Sequence, residues 1–361
     1  MTRRNFLPTA AAAFFGSAGA ASAAIAGDLP LGLNTYCLRA MRWNDLQLID
    51  YAAGLKLDAI FLQDSLDPEK NEPAHWRKVK DYAASRGLHL ESAALGAVLP
   101  KDSASFHASV RMLEHGIDVA VAMGSPIVRC LHAADREHLP PGPVEQHIET
   151  SIKLFKAVRS RAMDAGVKFA IENHKDFQAW EMRQVIEGAG PEFVGAYLDT
   201  GNPVFVMEDP LTTVEALGPY ALTLHLRDSI IYETPRGAAV QWVPLGEGVI
   251  DFKRLIARVR EVCKPLYVYV KPITGRPPQI LPYLDPAFWK SYPKARASDF
   301  ARFLALARSG HPYEQHMVIE DLPGKVPQAF QAAIQYQQRE HMERSVAYAK
   351  NTLGLGVRWR T

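Results

Sequence analysis

Two carboxylates and one imidazole occur at regular intervals in the second half of the 361-residue chain, each at the end of an apolar run. Glu172 follows VKFAI, Asp199 follows FVGAYL and His225 follows ALTL, so the intervals are 27 and 26 positions. Burying such groups without partners is costly, so we expect the three side chains to meet. This set suits Mn²⁺, Mg²⁺, Co²⁺ or Zn²⁺ and predicts a metal site, although each residue alone is also explained by a turn, a cap or a backbone hydrogen bond.

The elements that must position these residues form a repeating pattern of short apolar runs and helical segments. Between successive runs, apolar residues recur at helical spacing, as in NDLQLIDYAAGLK and FKRLIARVREVC. Eight strand-helix units predict a single-domain (β/α)8 barrel, whereas an open doubly wound sheet would favour a G-x-G-x-x-G turn where this chain has LNTYCLRAMRW. The eight runs lie at 30–39, 58–65, 88–96, 125–133, 167–176, 193–203, 221–229 and 265–272.

Polar residues interrupt or end most of the apolar runs, at the barrel face where active sites lie. Lys271 is the most unusual of them, because LYVYVKPITGRPP places its charge where an apolar strand ends. For the others we predict contacts with a bound substrate, and structural hydrogen bonds are the alternative. These predicted substrate-binding residues are Asn34, Tyr36, Gln63, Glu91, Arg129 and Arg227, and His174 is a further acid/base candidate.

The segments IENH, LDTGNP, HLRD and PLGEGVIDF resemble the xylose-isomerase-like barrel superfamily of sugar isomerases and epimerases. The resemblance implies a metal held by Glu172, Asp199 and His225, and by a second Glu at the end of the eighth strand. Aligned on ITGRP, that Glu falls on Lys271. At about 4 Å a lysine ammonium and a divalent ion repel by about 8 kcal/mol at an effective dielectric of 20. Lys271 is therefore a neutral amine acting as a base, an internal cation that replaces a lost metal, or a residue out of register.

The resemblance also implies an activity: proton abstraction next to a carbonyl of a non-phosphorylated sugar or oxidised glycoside, assisted by a metal. Glu172, Lys271 and His174 are the predicted catalytic residues. A lyase or dehydratase on a similar substrate is one alternative. A non-catalytic sugar-binding barrel, which has lost its fourth ligand at Lys271, is the other. The expected partner is thus a small carbohydrate.

The two ends of the chain carry further expectations. Arg3 and Arg4 precede an apolar, Ala-rich stretch, which predicts a twin-arginine signal over residues 1–26 and a periplasmic or secreted barrel over 27–361; a Sec signal or a disordered tail is the alternative. No stable membrane anchor is expected after cleavage. The net charge of +2 gives no electrostatic reason to expect binding to nucleic acid.

An insertion at 277–316 is predicted to form a lid that brings Trp289 to a bound sugar. The alternatives are that it serves as a structural brace or as a contact in a homo-oligomer.

Overall fold

Eight parallel strands close into a barrel in the computed structural model, which describes residues 29–63, 65–264, 266–320 and 327–361. The prediction of a single-domain (β/α)8 barrel is confirmed. The barrel strands are β1 Leu31–Asn34, β2 Ala59–Phe61, β3 His89–Ala97, β4 Ile127–Leu131, β5 Lys168–Glu172, β6 Val194–Asp199, β7 Ala221–Leu226 and β10 Val268–Val270. Their order around the barrel is β1-β10-β7-β6-β5-β4-β3-β2.

Helices surround the barrel, and several begin at caps that the sequence encodes. Asn44 accepts a hydrogen bond from the backbone of Gln47 and forms a capping box, and Asp251 of the GEGVIDF segment caps the helix that begins at Phe252. No described helix is long and apolar enough to span a membrane. The helices are α1 Asp45–Gly54, α2 Pro73–Ser85, α3 Ser103–Met123, α4 Val144–Ala157, α5 Arg159–Ala165, α6 Ala179–Ala189, α7 Pro210–Leu217, α8 Phe252–Val262, α9 Ala297–Ser309 and α10 Gln331–Asn351.

A small antiparallel sheet, which we did not predict, extends from the mouth of the barrel. It consists of the hairpin β8 Asp228–Thr234 and β9 Gly237–Val243, with β11 Gln279–Leu281 paired to β9. The hairpin follows β7 after a single residue, Arg227. The predicted insertion at 277–316 therefore contains a strand, β11, as well as the helix α9.

Aromatic rings fill the interior of the barrel beneath the strand ends. Phe61, Tyr197 and Tyr269 pack against one another there, with ring centroids 5.7 and 5.8 Å from Phe61. Gly32 on β1 leaves room for this layer, because a Cβ atom at that position would lie 2.6 Å from the Tyr269 ring and 2.6 Å from the Ala59 carbonyl oxygen. This aromatic layer packs directly beneath the polar residues at the strand ends.

Replacing Gly32 by alanine should lower the stability of the barrel, because the added methyl group meets both a backbone oxygen and a buried ring. Overpacking of this kind costs about 1–3 kcal/mol, measurable as a drop in the urea unfolding midpoint. Gly54→Ala is the matched control, since nothing lies within 4 Å of a Cβ there. Equal midpoints for the two variants would contradict the packing described for Gly32.

Candidate functional site

A cavity of about 770 Å³ opens at the C-terminal ends of the barrel strands. Arg129, Glu172 and Lys271 reach it from β4, β5 and the end of β10. Trp242 of the hairpin and residues 277–279 of the insertion form part of its wall. The cavity therefore lies at the barrel face where polar residues end the apolar runs.

Lys271 lies at the floor of this cavity and is 1% exposed. Its Nζ donates a hydrogen bond to Glu172 Oε1 at 2.9 Å and lies 3.2 Å from Asp199 Oδ2. The ammonium is also 4.8 Å from the centroid of the Tyr197 ring. Its backbone N–H donates to the carbonyl of Leu226 on β7, which fixes the register of this strand end. Lys271 thus lies between the two carboxylates that we predicted as metal ligands.

Two guanidinium groups complete the pairing of these carboxylates. Arg129 donates from Nε to Glu172 Oε2 at 2.7 Å and makes a second contact to the same oxygen through Nη2. Asn202 donates to Glu172 Oε1 at 3.1 Å, and Arg227 Nη2 lies 2.8 Å from Asp199 Oδ2. Burial alone would raise the pKa of Glu172, but Arg129 and then Lys271 outweigh it and hold the pKa well below its usual range.

His225 lies beside this cluster without facing the cavity. Its ring stacks on Tyr197 with centroids 3.8 Å apart and on Tyr269 at 4.8 Å, and Phe61 meets it edge-on. Burial, followed by the charge of Lys271, lowers its pKa well below the usual value, so the imidazole is neutral. Its Nε2 is 3.4 Å from the Thr223 hydroxyl. The aromatic stack fixes the ring among the tyrosines.

The arrangement of these residues does not fit a divalent ion. Lys271 lies within 3.2 Å of both Glu172 and Asp199, where a metal ion bound by both carboxylates would have to lie. Each carboxylate also pairs with a guanidinium group, as described above. This geometry corresponds to the alternative in which Lys271 serves as an internal cation in place of a metal.

A different group, outside this cavity, is compatible with a divalent ion. One ligand atom from each of Asp45, Asp67 and His75 lies within 4.8 Å of the others. Asp45 Oδ2 accepts a hydrogen bond from the Ser65 hydroxyl at 2.7 Å and lies 2.8 Å from His75 Nε2. We did not predict this group, since its members lie at the start of α1, in the loop after β2 and in α2, without a motif that relates them.

The structure brings only some of the predicted substrate-binding residues to the cavity. Those that line it are Tyr36, Gln63, Arg129 and Arg227, together with the acid/base candidate His174. Asn34 lies below, where its amide donates to Gln63 Oε1 at 3.2 Å. Glu91 is buried and accepts a hydrogen bond from the Thr223 hydroxyl at 2.8 Å. These two residues have structural partners instead of a place in the cavity wall.

Trp289 is not where the lid prediction places it. Its indole donates to the Tyr283 carbonyl at 2.8 Å, and its ring meets Phe300 of α9 edge-on at 5.1 Å. The aromatic residues of the insertion thus pack on its own helix, because burying them there removes more apolar surface from water than exposing them at a polar cavity. Pro277, Pro278 and Gln279 are the residues of this segment that line the cavity.

Among the other residues that line the cavity and escaped the prediction are Lys175, Arg276 and Trp242. Lys175 directly follows the predicted His174, and Arg276 belongs to the ITGRP segment used for alignment. Both could therefore have been identified from the sequence. Trp242 belongs to the unpredicted hairpin. Its ring lies 4.3 Å from the Arg227 guanidinium carbon and 5.6 Å from Lys175 Nζ. The hairpin therefore contributes an aromatic surface against which two cations pack.

A buried histidine near the site should make the protein sensitive to acid. His132 stacks on Phe177 at 4.2 Å, neither of its ring nitrogens has a partner among the described residues, and burial lowers its pKa to about 3. Between pH 6.5 and 3 the unfolded chain binds a proton that the folded chain does not, so stability falls as the pH falls. Two units below pH 6.5 the loss is about 3 kcal/mol.

His132→Phe keeps the stack on Phe177 and removes the titrating group. We expect its unfolding midpoint to fall less than that of the wild type between pH 7 and pH 4.5, measured by urea denaturation. The exposed His107 provides the control His107→Phe, which should keep the wild-type acid dependence. Identical slopes for His132→Phe and the wild type would contradict this prediction.

Comparison with known proteins supports the fold seen here. Residues 49–263 match the family model described as xylose isomerase-like TIM barrel. A curated relative, the uncharacterized protein YihM of Escherichia coli strain K12, is 26% identical over 102 residues. That alignment spans 28% of this chain and 31% of the relative, less than a third of its length.

Three of the solved structures that share this fold show the range of similarity. A D-psicose 3-epimerase, determined in the presence of D-fructose, has a TM-score of 0.58 at 17% identity and covers 90% of this chain and 100% of its own. The Escherichia coli 3-keto-D-glucoside 4-epimerase YcjR has a TM-score of 0.55 at 14% identity, with coverage of 74% and 98%. The IOLI protein with a bound zinc atom has a TM-score of 0.53 at 16% identity, with coverage of 76% and 99%. With the matched family model spanning more than half of its residues, the chain belongs to the xylose isomerase-like TIM barrel family.

Proposed function

We propose that this protein is a carbohydrate isomerase or epimerase that abstracts a proton next to a carbonyl group without a metal at Glu172 and Asp199. The observation that carries the proposal is the Lys271 ammonium, which lies between these carboxylates on the floor of the cavity. A fixed, buried cation stabilises the negative charge that develops on the carbonyl oxygen, and Lys271 is 1% exposed. The folds of sugar epimerases among its structural neighbours are consistent with this class of reaction.

His174 is the residue best suited to take the proton. Its imidazole lines the cavity, and its Nδ1 has no hydrogen-bond partner among the described residues, so this nitrogen is free to accept a proton. Burial lowers the pKa of the imidazole, which keeps the ring neutral before the proton is transferred. Glu172 is less suited, because Arg129, Lys271 and Asn202 already donate to its oxygens. In the proposed step the carbon–hydrogen bond breaks, the proton moves to His174, and the electron pair moves onto the carbonyl oxygen near Lys271. Glu172 then acts as a positioning residue for the ammonium.

Solvent exchange tests this chemistry directly. We expect EDTA-treated protein to catalyse deuterium incorporation next to the carbonyl of a ketose or a 3-keto glycoside in D₂O, observed by proton NMR. His174→Asn should slow the exchange about 10²-fold or more, the usual contribution of a general base. His311→Asn, at an exposed position, is the control. Exchange that is abolished by EDTA and restored by Mn²⁺ would overturn the metal-free proposal.

A second candidate is a carbohydrate-binding barrel without catalysis. The observation that favours it is that the carboxylate of Glu172 already accepts hydrogen bonds from Arg129, Lys271 and Asn202, which makes it a weak base. This candidate predicts binding of a sugar by calorimetry with no exchange of its carbon-bound protons. Exchange above the uncatalysed rate would eliminate it.

We further propose that the protein is exported by the twin-arginine route and works in the periplasm or outside the cell on an unphosphorylated carbohydrate. Arg3 and Arg4 support this, although residues 1–26 lie outside the described part of the chain. Retention of an Arg3→Lys, Arg4→Lys variant in the cytoplasm, beside export of the wild type, is the expected result of cell fractionation. Equal export of both would contradict the route.

A further inference from the structure

The cavity holds more positive than negative charge. Arg129, Arg227 and Lys271 share the two carboxylates of Glu172 and Asp199, and all five side chains are buried. Burial lowers the pKa of Lys271, while Glu172 and Asp199 raise it. With Lys271 protonated, three cations paired with two anions leave one positive charge without compensation inside the cluster. Arg227 also has an Nε N–H with no hydrogen-bond partner among the described residues, and it is 1% exposed.

Lys175 adds a further positive charge to the same cavity. Its Nζ lies 5.4 Å from the centroid of the Phe205 ring and 5.6 Å from that of Trp242, and Asp135 is the carboxylate with the largest influence on its pKa. The Arg227 guanidinium packs on the same Trp242 ring at 4.3 Å. Burial lowers the pKa of Lys175. The carboxylate of Asp135 raises it in part, and the positive charges of Arg227 and Arg276 lower it further. Two cations therefore pack on one indole in the cavity wall.

Arg276 also lines this cavity, where it donates to the Tyr36 hydroxyl at 3.2 Å. An uncharged sugar would leave the excess charge of the cavity unpaired, since hydroxyl groups carry no charge to offset it. An anionic group near Lys175 and Arg227 would accept hydrogen bonds from an ammonium and from the unpartnered guanidinium N–H. Hydrogen bonds between two charged groups are about twice as strong as neutral ones.

From this geometry we infer that the cavity binds an anionic carbohydrate, whose carboxylate or phosphate group contacts Lys175 and Arg227 beside the Trp242 ring. The inference rests on the proposed function for the location of the substrate and adds its charge class. A carboxylate agrees with the unphosphorylated substrate proposed above, whereas a phosphate would contradict that part of the proposal. The sugar part would lie towards Lys271 and His174. The same side chains serve a carboxylate or a phosphate, and binding experiments distinguish the two.

Calorimetric titration of the EDTA-treated full chain with D-glucuronate, D-glucose 6-phosphate and D-glucose tests the inference. We expect at least one of the two anions to bind ten times more tightly than glucose or better, and its affinity to fall as NaCl is added. The tighter of the two anions then assigns the acidic group. Equal affinity for glucose and both anions, or binding of neither anion, would overturn the inference.

Lys175→Met removes the positive charge of the side chain and keeps a similar length, so it tests the charge alone. The same change at the exposed Lys253 is its matched control. We expect Lys175→Met to weaken binding of the anion about tenfold while leaving glucose binding unchanged, and Lys253→Met to change neither. An equal loss for glucose and the anion would show that Lys175 only supports the cavity, and would overturn its assignment. Calorimetry needs no turnover, so failure of the exchange experiment above and failure of this preference for anions are separate results.

Discussion

Lys271→Glu is expected to destabilise the protein by about 4 kcal/mol or more. The change removes the ammonium that lies 2.9 Å from Glu172 and 3.2 Å from Asp199 and adds a carboxylate beside both. Two like charges about 4 Å apart repel by about 4 kcal/mol at an effective dielectric of 20. The chain cannot relieve this repulsion by exposing the new group, because the position is 1% exposed. The measurement is the urea unfolding midpoint.

Lys271→Met is the matched control for charge. It removes the same hydrogen bonds, but Arg129 and Arg227 remain to pair the two carboxylates. Its cost should therefore be smaller, about 2 kcal/mol, the usual contribution of hydrogen bonds to charged groups. A glutamate variant as stable as the methionine variant would contradict the position described for Lys271.

The same pair of variants tests what the family resemblance implies about this position. In Lys271→Glu, a divalent ion could bind the three carboxylates, so Mn²⁺, Co²⁺ or Zn²⁺ should raise its thermal midpoint more than that of the wild type or of Lys271→Met. If all three proteins respond equally, the ion binds elsewhere, and the group of Asp45, Asp67 and His75 becomes the site to mutate. An absence of any response in Lys271→Glu would mean that Arg129 and Arg227 still prevent metal binding.

The barrel could be predicted because each strand leaves a local signal in the sequence. An apolar run ending in a polar residue marks where a barrel strand reaches the mouth, and the run before Glu172 matches β5 Lys168–Glu172. The same local pattern singled out Lys271, since a charge at the end of an apolar strand needs a partner. The carboxylates that pair with it are 99 and 72 positions away in the chain, and only the closed barrel brings them together.

Other features of the site could not be predicted, because they depend on packing between distant elements. The pair of Arg129 and Glu172 forms because β4 and β5 are neighbours with matching register. The stack of His225 on Tyr197 follows from the register of β6 and β7, which no local pattern encodes. Trp289 illustrates the opposite error, since this aromatic residue packs on Phe300 of α9, within the same insertion, and not at the cavity.

Arg136 offers the second large effect, because it joins the barrel to the insertion. Its Nη1 and Nη2 donate to the two oxygens of Glu181 at 2.6 and 2.9 Å, and its Nε donates to the Ser291 carbonyl at 2.8 Å. The guanidinium carbon also lies 4.9 Å from the centroid of the Tyr292 ring. Sequence reasoning did not single out this residue, whose partners lie 45 and 155 positions away.

Arg136→Met is expected to cost about 3–5 kcal/mol, because it leaves the carboxylate of Glu181 buried without its cation. That residue is 1% exposed and cannot regain water without moving α6. If the uncompensated charge is the cause, the double variant Arg136→Met, Glu181→Gln should be more stable than Arg136→Met alone, as measured by a double-mutant cycle of urea midpoints. Strictly additive losses would show that the cost comes from the lost contacts with Ser291 and Tyr292. In that case limited proteolysis of Arg136→Met should cut first within residues 282–296, since the insertion would have lost its hold on the barrel.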